Sequence, residues 1–165
     1  VGALALLGFL TLQRAVELAI ATRNTKRLLA RGAYEVGADH YPVMVALHAT
    51  WLATLWWFGH GNALVFPFVV AFVLLQLGRV WVLATLGARW TTRIIIVPEE
   101  RPVTRGPFRF VRHPNYLVVA LELPCVSLAL GLVWHALLFG ALNLAMLAWR
   151  IRTENRAFAF VAHTA

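Results

Sequence analysis

Charge is scarce in this chain, and acidic charge is scarcer still. Only 13% of its 165 residues are Asp, Glu, Lys or Arg, with 7 acidic against 15 basic. A soluble domain carries about 25% charged residues, so an ordinary water-facing surface is excluded. A single cysteine, Cys125, excludes an internal disulfide and a cysteine-built metal site. His40, His48, His60, His113, His135 and His163 fall at no paired metal-ligand spacing, and no H-E-x-x-H occurs, so no metal centre is expected. The absence of G-x-G-x-x-G and of G-x-x-x-x-G-K-[ST] removes Rossmann and P-loop nucleotide sites. The first apolar run has neither a basic n-region nor a small-residue cleavage site, so no cleaved leader is expected.

What is present is hydrocarbon: 61% of the residues are hydrophobic. The composition predicts one all-α integral membrane domain over residues 1–165, built on about five transmembrane helices, each needing about 20 apolar residues. The apolar runs place these spans at residues 1–21, 42–58, 63–86, 114–130 and 132–149, the last continuing as a C-terminal helix. Residues 22–41 carry Arg23, Lys26, Arg27 and Arg31, then Glu35, Asp39 and His40; leucines among them predict a short amphipathic helix on the membrane surface. Residues 91–97 are β-branched and predicted extended.

Thirteen of the fifteen Lys and Arg lie in residues 22–41, 87–112 and the tail from Arg150, all on one face if there are five spans. The positive-inside rule makes that face cytoplasmic and the N-terminus external. Topology thus accounts for the net charge of +8 without nucleic acid. Five polar groups inside spans need partners. Arg14 and Glu17, three apart, can pair on one helical face. His48 is expected to hydrogen-bond between helices, and Arg79 to reach the interface along its own stem. Glu122 reads as a hydrogen-bonder to a neighbouring helix or as part of a site. Cys125 reads as inert packing.

The informative stretch is Arg101-Pro-Val-Thr-Arg-Gly-Pro-Phe-Arg-Phe-Val-Arg-His-Pro-Asn-Tyr116. Its prolines forbid one continuous helix. Gly106-Pro107 marks a turn, and His113-Pro114 opens a helix, because proline is welcome in the first turn. A basic loop therefore ends at a helix N-terminus, with free N–H groups and partial positive charge. Arg150 and Glu154, four apart, share a helical face. About 34 residues at ~1.5 Å each separate Tyr116 from Arg150, ~51 Å of helix, enough to leave one membrane surface and return to it. A cation, a carboxylate, an imidazole and a phenol then meet in a polar pocket at the membrane edge. Cytoplasm and bilayer would both have access to it.

This run, followed by Arg150-x-x-x-Glu154, resembles the isoprenylcysteine carboxyl methyltransferases over roughly residues 87–158, the motif-bearing half. The stretch from Gln13-Arg-Ala-Val-Glu17 to Tyr41-Pro42 is closer to the short bacterial members, some of which resemble partners of type III polyketide synthases that methylate long-chain phenols or pyrones. The resemblance implies an S-adenosylmethionine-dependent O-methyltransferase in a bacterial plasma membrane, acting on a lipophilic acceptor that enters from the bilayer. It places Glu100, Arg101, Pro102, Val103, Phe108, His113, Pro114, Asn115, Tyr116 and Glu154 around the cofactor, with Arg150 at the acidic group of the substrate.

A carboxylate acceptor of the prenylcysteine kind needs orientation and no base. A phenol or alkylpyrone acceptor needs its proton removed, by His113, Glu154 or Glu122. A different class stays open: a non-enzymatic transporter or lipid-binding subunit, supported by Arg14, Glu17, Arg79 and Glu122 within spans. A transporter often shows internal repeats, and none is visible. A reductase is the intermediate possibility, since the C-terminal half of the family is similar to membrane sterol reductases.

Overall fold

The structure is a computed structural model and describes residues 1–98, 100 and 102–164, those after Ala157 as backbone only. Five α-helices make up most of the chain: α1 (Gly2–Leu29), α2 (Tyr41–Gly59), α3 (Phe66–Leu86), α4 (Pro114–Ala129) and α5 (Val133–Thr164). Among the described residues, three stretches are long and apolar enough to cross a membrane: Gly2–Leu29, Phe66–Arg89 and Val133–Ala157. α4 is a shorter apolar helix of 16 residues. It lies between α3 and α5, while α2 packs on α1 and α5.

The first correction concerns residues 22–41. No separate surface helix forms there; α1 runs unbroken to Leu29, because nothing between residues 21 and 29 breaks a helix. Lys26 and Arg27 sit in its last turn, where cations favour the helix dipole. Gly32, at φ 88°, then turns the chain. The chain next extends into a strand, β1 (Tyr34–Val36), paired antiparallel with β2 (Ile94–Ile96), so the fold is not purely helical. The extended reading of residues 91–97 holds for Ile94–Ile96; its partner strand was not expected. The register sets Tyr34 opposite Ile96 and Val36 opposite Ile94. Arg93 Nη1 donates to both carboxylate oxygens of Glu35, at 2.7 and 2.9 Å, and Asn24 Nδ2 donates to the Trp90 carbonyl at 2.9 Å. The polar segment after the first apolar run is thereby fastened to the loop after α3.

The bundle is solid at one end. Leu6, Leu7 and Leu10 of α1 meet Trp51 and Leu55 of α2, Phe72 of α3, Leu123 and Val126 of α4, and Phe139 of α5. Lipid tails are as apolar as leucine, so this packing contributes through van der Waals contact rather than water exclusion. Polar bonds reinforce it: Trp51 Nε1 donates to Ser127 Oγ at 3.3 Å, and the His135 ring lies between Ser127 Oγ and Thr54 Oγ1, at 2.8 and 2.9 Å. Cys125 is buried, its thiol directed at the Phe68 carbonyl.

A charged joint sits below that core. Arg14 donates to Glu17 at 3.0 Å and to Glu122 at 2.5 Å. Arg79 donates to Glu17 at 3.1 Å and also to Glu122. Gln76 Nε2 donates to the other Glu122 oxygen at 3.0 Å, and Gln13 Nε2 lies within reach of Glu17 and Gln76, at 2.8 and 2.7 Å. Arg79 therefore does not reach for the interface: its side chain is 4% exposed, held by two carboxylates. Two cations and two anions cancel, which is how a buried ionic group avoids a large desolvation cost. The Arg14–Glu17 pair is one edge of this joint, which binds α1, α3 and α4.

Candidate active site

Beyond the joint the bundle opens into a cavity of about 540 Å³, within the ~300–1,000 Å³ of small-molecule pockets. α2 lines it with Tyr41, Met44, Val45, His48, Ala49 and Leu52, a single stripe at helical spacing. Thr11, Arg14, Ala15 and Leu18 of α1 also line it. Ala15, Leu18, Val45 and Ala49 are exposed on the outside of the bundle, so the cavity has an apolar side mouth between α1 and α2. Its other end is polar and lies under the loop between α3 and α4.

That loop is held by its own chemistry. Gly106 adopts φ 61°, and a Cβ there would lie 2.5 Å from Thr85 Oγ1, so only glycine lets the loop close on the end of α3. The turn Gly106–Arg109 comes next, and His113 caps α4 with Pro114 at its first position. Pro102, Val103, Phe108, His113, Pro114, Asn115 and Tyr116 all line the cavity, together with Arg150 and Glu154 of α5. Glu100 does not; its carboxylate pairs with Arg31 at 3.1 Å and Arg89 at 3.3 Å. Arg101 lies outside the described residues.

The two distant segments meet at Glu154. The Tyr116 hydroxyl donates to Glu154 Oε2 at 2.7 Å, and His113 Nδ1 lies 3.8 Å from the same oxygen. The His113 ring stacks on Tyr116, centroids 5.4 Å apart. Arg150 is 4% exposed. It donates to the Thr92 carbonyl and to Met44 Sδ, both at 2.9 Å, with its guanidinium carbon 5.7 Å from the Tyr116 ring centre. Arg93 stands over the Tyr41 ring at 3.9 Å.

Several polar atoms on the wall have no protein partner among the described residues: His113 Nε2, Asn115 Oδ1, Trp90 Nε1 and Asn143 Oδ1. A buried polar atom left dry costs about 1–3 kcal/mol. Among the described residues no group of three His, Cys, Asp or Glu side chains is arranged to hold a metal.

Besides Glu100, two sequence expectations change here. Glu122 does not line the cavity, and both arginines and Gln76 occupy its oxygens, so it is no candidate base. His48 bonds within its own helix, Nδ1 to the Met44 carbonyl at 2.9 Å, rather than between helices. The sequence reading also missed the α2 wall, Trp90 and Asn143. The spacing of Tyr41, Met44 and His48 at i, i+3 and i+7 in an otherwise apolar helix was the available signal.

The isoprenylcysteine carboxyl methyltransferase (ICMT) family matches residues 65–160. The chain belongs to that family. A Bacillus subtilis (strain 168) relative, the uncharacterized protein YpbQ, is 34% identical over 166 residues, covering 92% of this chain and 94% of that one. An uncharacterized Haemophilus influenzae protein is 28% identical over 150 residues, 87% of each chain. No solved structure matches. As a member of the ICMT family the chain is a membrane methyltransferase. The match spans α3, the loop, α4 and most of α5, hence Phe108, His113, Tyr116, Arg150 and Glu154. The α1–α2 wall of the cavity lies outside it.

Proposed function

We propose that the chain is an S-adenosylmethionine-dependent O-methyltransferase acting on a lipophilic acceptor at the cytoplasmic edge of a bacterial plasma membrane. The observation that carries this reading is the meeting of Tyr116, His113 and Glu154 in a cavity that continues into an apolar side mouth. All five helices cross the bilayer in this reading, with the N-terminus outside. Its support is that thirteen of the fifteen basic residues fall in three segments that five crossings would place at one face.

S-adenosylmethionine, when bound, supplies an electrophilic methyl group on a sulfonium. Glu154 accepts from amino or ribose donors. The first-turn N–H groups of α4 suit a carboxylate, because no carbonyl precedes them to accept. The faces of Tyr116 and Phe108 favour a cation, at ~0.5–2 kcal/mol each. His113, Asn115, Pro102 and Val103 form the wall. Arg150 is fixed by Thr92 and Met44, so its guanidinium can orient an acceptor oxygen without first being ordered. For a carboxylate of the prenylcysteine kind, which the family name implies, that orientation suffices. The acceptor enters between α1 and α2.

The test is equilibrium binding of labelled S-adenosylmethionine to purified protein in detergent, followed by transfer to a lipid panel of prenylcysteines, fatty acids and alkylphenols. Wild type binds and labels a lipid; Glu154→Ala loses binding. Unchanged affinity in that variant would remove Glu154 from the site. No binding and no transfer by wild type would overturn the reading.

A further inference from the structure

The α2 wall carries one titratable group that the proposed site leaves unused. His48 lies midway along the lining stripe, one turn (~6 Å) deeper than Met44, the residue that touches Arg150. Its Nδ1 faces the Met44 carbonyl at 2.9 Å. A carbonyl only accepts, so the proton sits on Nδ1 and the neutral ring carries its lone pair on Nε2. Nε2 has no protein partner among the described residues and is not among the sealed polar atoms, although the residue lines the cavity. The charges of Arg14, Glu122 and Arg150 act on the ring, and Arg14 and Glu122 are themselves paired.

A backbone-fixed tautomer that presents a lone pair to an apolar cavity is the arrangement a proton acceptor needs. Glu122 is sealed by arginines, and Glu154 Oε2 already accepts from Tyr116. We infer that His48 Nε2 is the general base of this site, serving an acceptor that presents an ionisable hydroxyl rather than a carboxylate. This rests on the methyltransferase reading above. In the step, the acceptor O–H gives its proton to His48 Nε2. The freed oxygen pair bonds the methyl carbon, and the electrons of the methyl–sulfur bond remain on sulfur. The imidazolium then returns its proton to solvent. Arg150, one turn nearer the polar mouth, steadies the negative oxygen as it forms.

The experiment uses alkylphenols of one chain length whose ring substituents lower the phenol pKa from about 10 to below the assay pH. Wild type and His48→Gln are compared by kcat/KM, with labelled S-adenosylmethionine binding as the check on folding. With the least acidic phenol, His48→Gln loses about 10²–10⁴-fold, and the loss narrows steadily as the acceptor becomes an anion needing no base. A loss of equal size along the whole series would show a packing role and overturn the inference, as would no loss at all. A wild type that binds S-adenosylmethionine and methylates carboxylate lipids but no phenol would overturn it and leave the methyltransferase reading standing. A wild type that binds no S-adenosylmethionine would sink both.

Discussion

Glu122→Leu removes the carboxylate that Arg14 and Arg79 share, and the structure sets the scale of the damage. In the native joint two cations face two anions, with side-chain exposures of 21% for Arg14, 10% for Glu17, 4% for Arg79 and zero for Glu122. After the substitution both guanidinium groups have only Glu17, and the buried cluster carries a net positive charge. Breaking a buried pair by removing one partner costs about 3–5 kcal/mol. At about 2–4 °C per kcal/mol for a chain of this size, the melting temperature falls by about 6–20 °C. Thermal melts in detergent, followed by tryptophan fluorescence, measure this directly. Arg79→Leu alone leaves an excess anion and destabilises similarly. The double variant Arg79→Leu, Glu122→Leu restores neutrality, because Arg14 and Glu17 still pair at 3.0 Å, so it melts above either single variant. The reasoning is refuted if Glu122→Leu melts within about 2 °C of wild type, or if the double variant loses the sum of the two single losses.

His40 predicts a pH dependence. It is 1% exposed, packs edge-on to Trp149 at 5.7 Å, and both its ring nitrogens lack partners among the described residues. Burial first, then Arg150, hold its pKa below the ordinary imidazole value, while Asp39 and Glu35 pull it up. The unfolded chain therefore takes up the proton more readily, so this contribution to stability is present above about pH 6.5 and is lost as pH falls through the folded pKa. His40→Phe flattens that acid-side decline in melts run across this range; an unchanged slope would assign the dependence elsewhere. Tyr116→Phe deprives Glu154 of its 2.7 Å donor. A hydrogen bond to a charged group contributes about 1.5–3 kcal/mol of stability, so the melting temperature falls by about 3–12 °C in the same detergent melts, and an unchanged one would show that the bond holds nothing.

The parts legible in the sequence were those written in local chemistry. His113-Pro114 announced a helix start, Gly106-Pro107 a turn, and the i, i+4 spacing of Arg150 and Glu154 a shared face; the meeting of His113, Tyr116 and Glu154 followed from hairpin length alone. Most of the misses were matters of long-range pairing. Arg79 sits near a helix end, where reaching for solvent is the ordinary expectation, and only its two carboxylate partners, from α1 and α4, keep it buried. Glu35 and Arg93 gave no local sign that they would meet across 58 residues and bind two three-residue strands. Residues 22–29 are polar because α1, 28 residues and ~42 Å long, outruns the ~30 Å hydrocarbon core, not because they lie on its surface.

That overhang changes what the site needs. The family match begins at residue 65, and every residue of the proposed cofactor cradle falls within it. The opposite wall does not: Tyr41, Met44 and His48 come from α2, and Met44 accepts one of the two hydrogen bonds that fix Arg150. The carbonyl that accepts the other, Thr92, lies in a segment held by Asn24 of α1 through Trp90 and by Glu35 through Arg93. The side chain proposed to orient the acceptor is thus positioned in part by elements that depend on the first 48 residues. The two halves of the chain consequently divide the work: the matched half presents the polar cradle, and the N-terminal third holds Arg150 in place and supplies the apolar mouth. Acceptor choice should therefore vary with α1 and α2 among relatives that keep the same loop and the same Arg150 and Glu154.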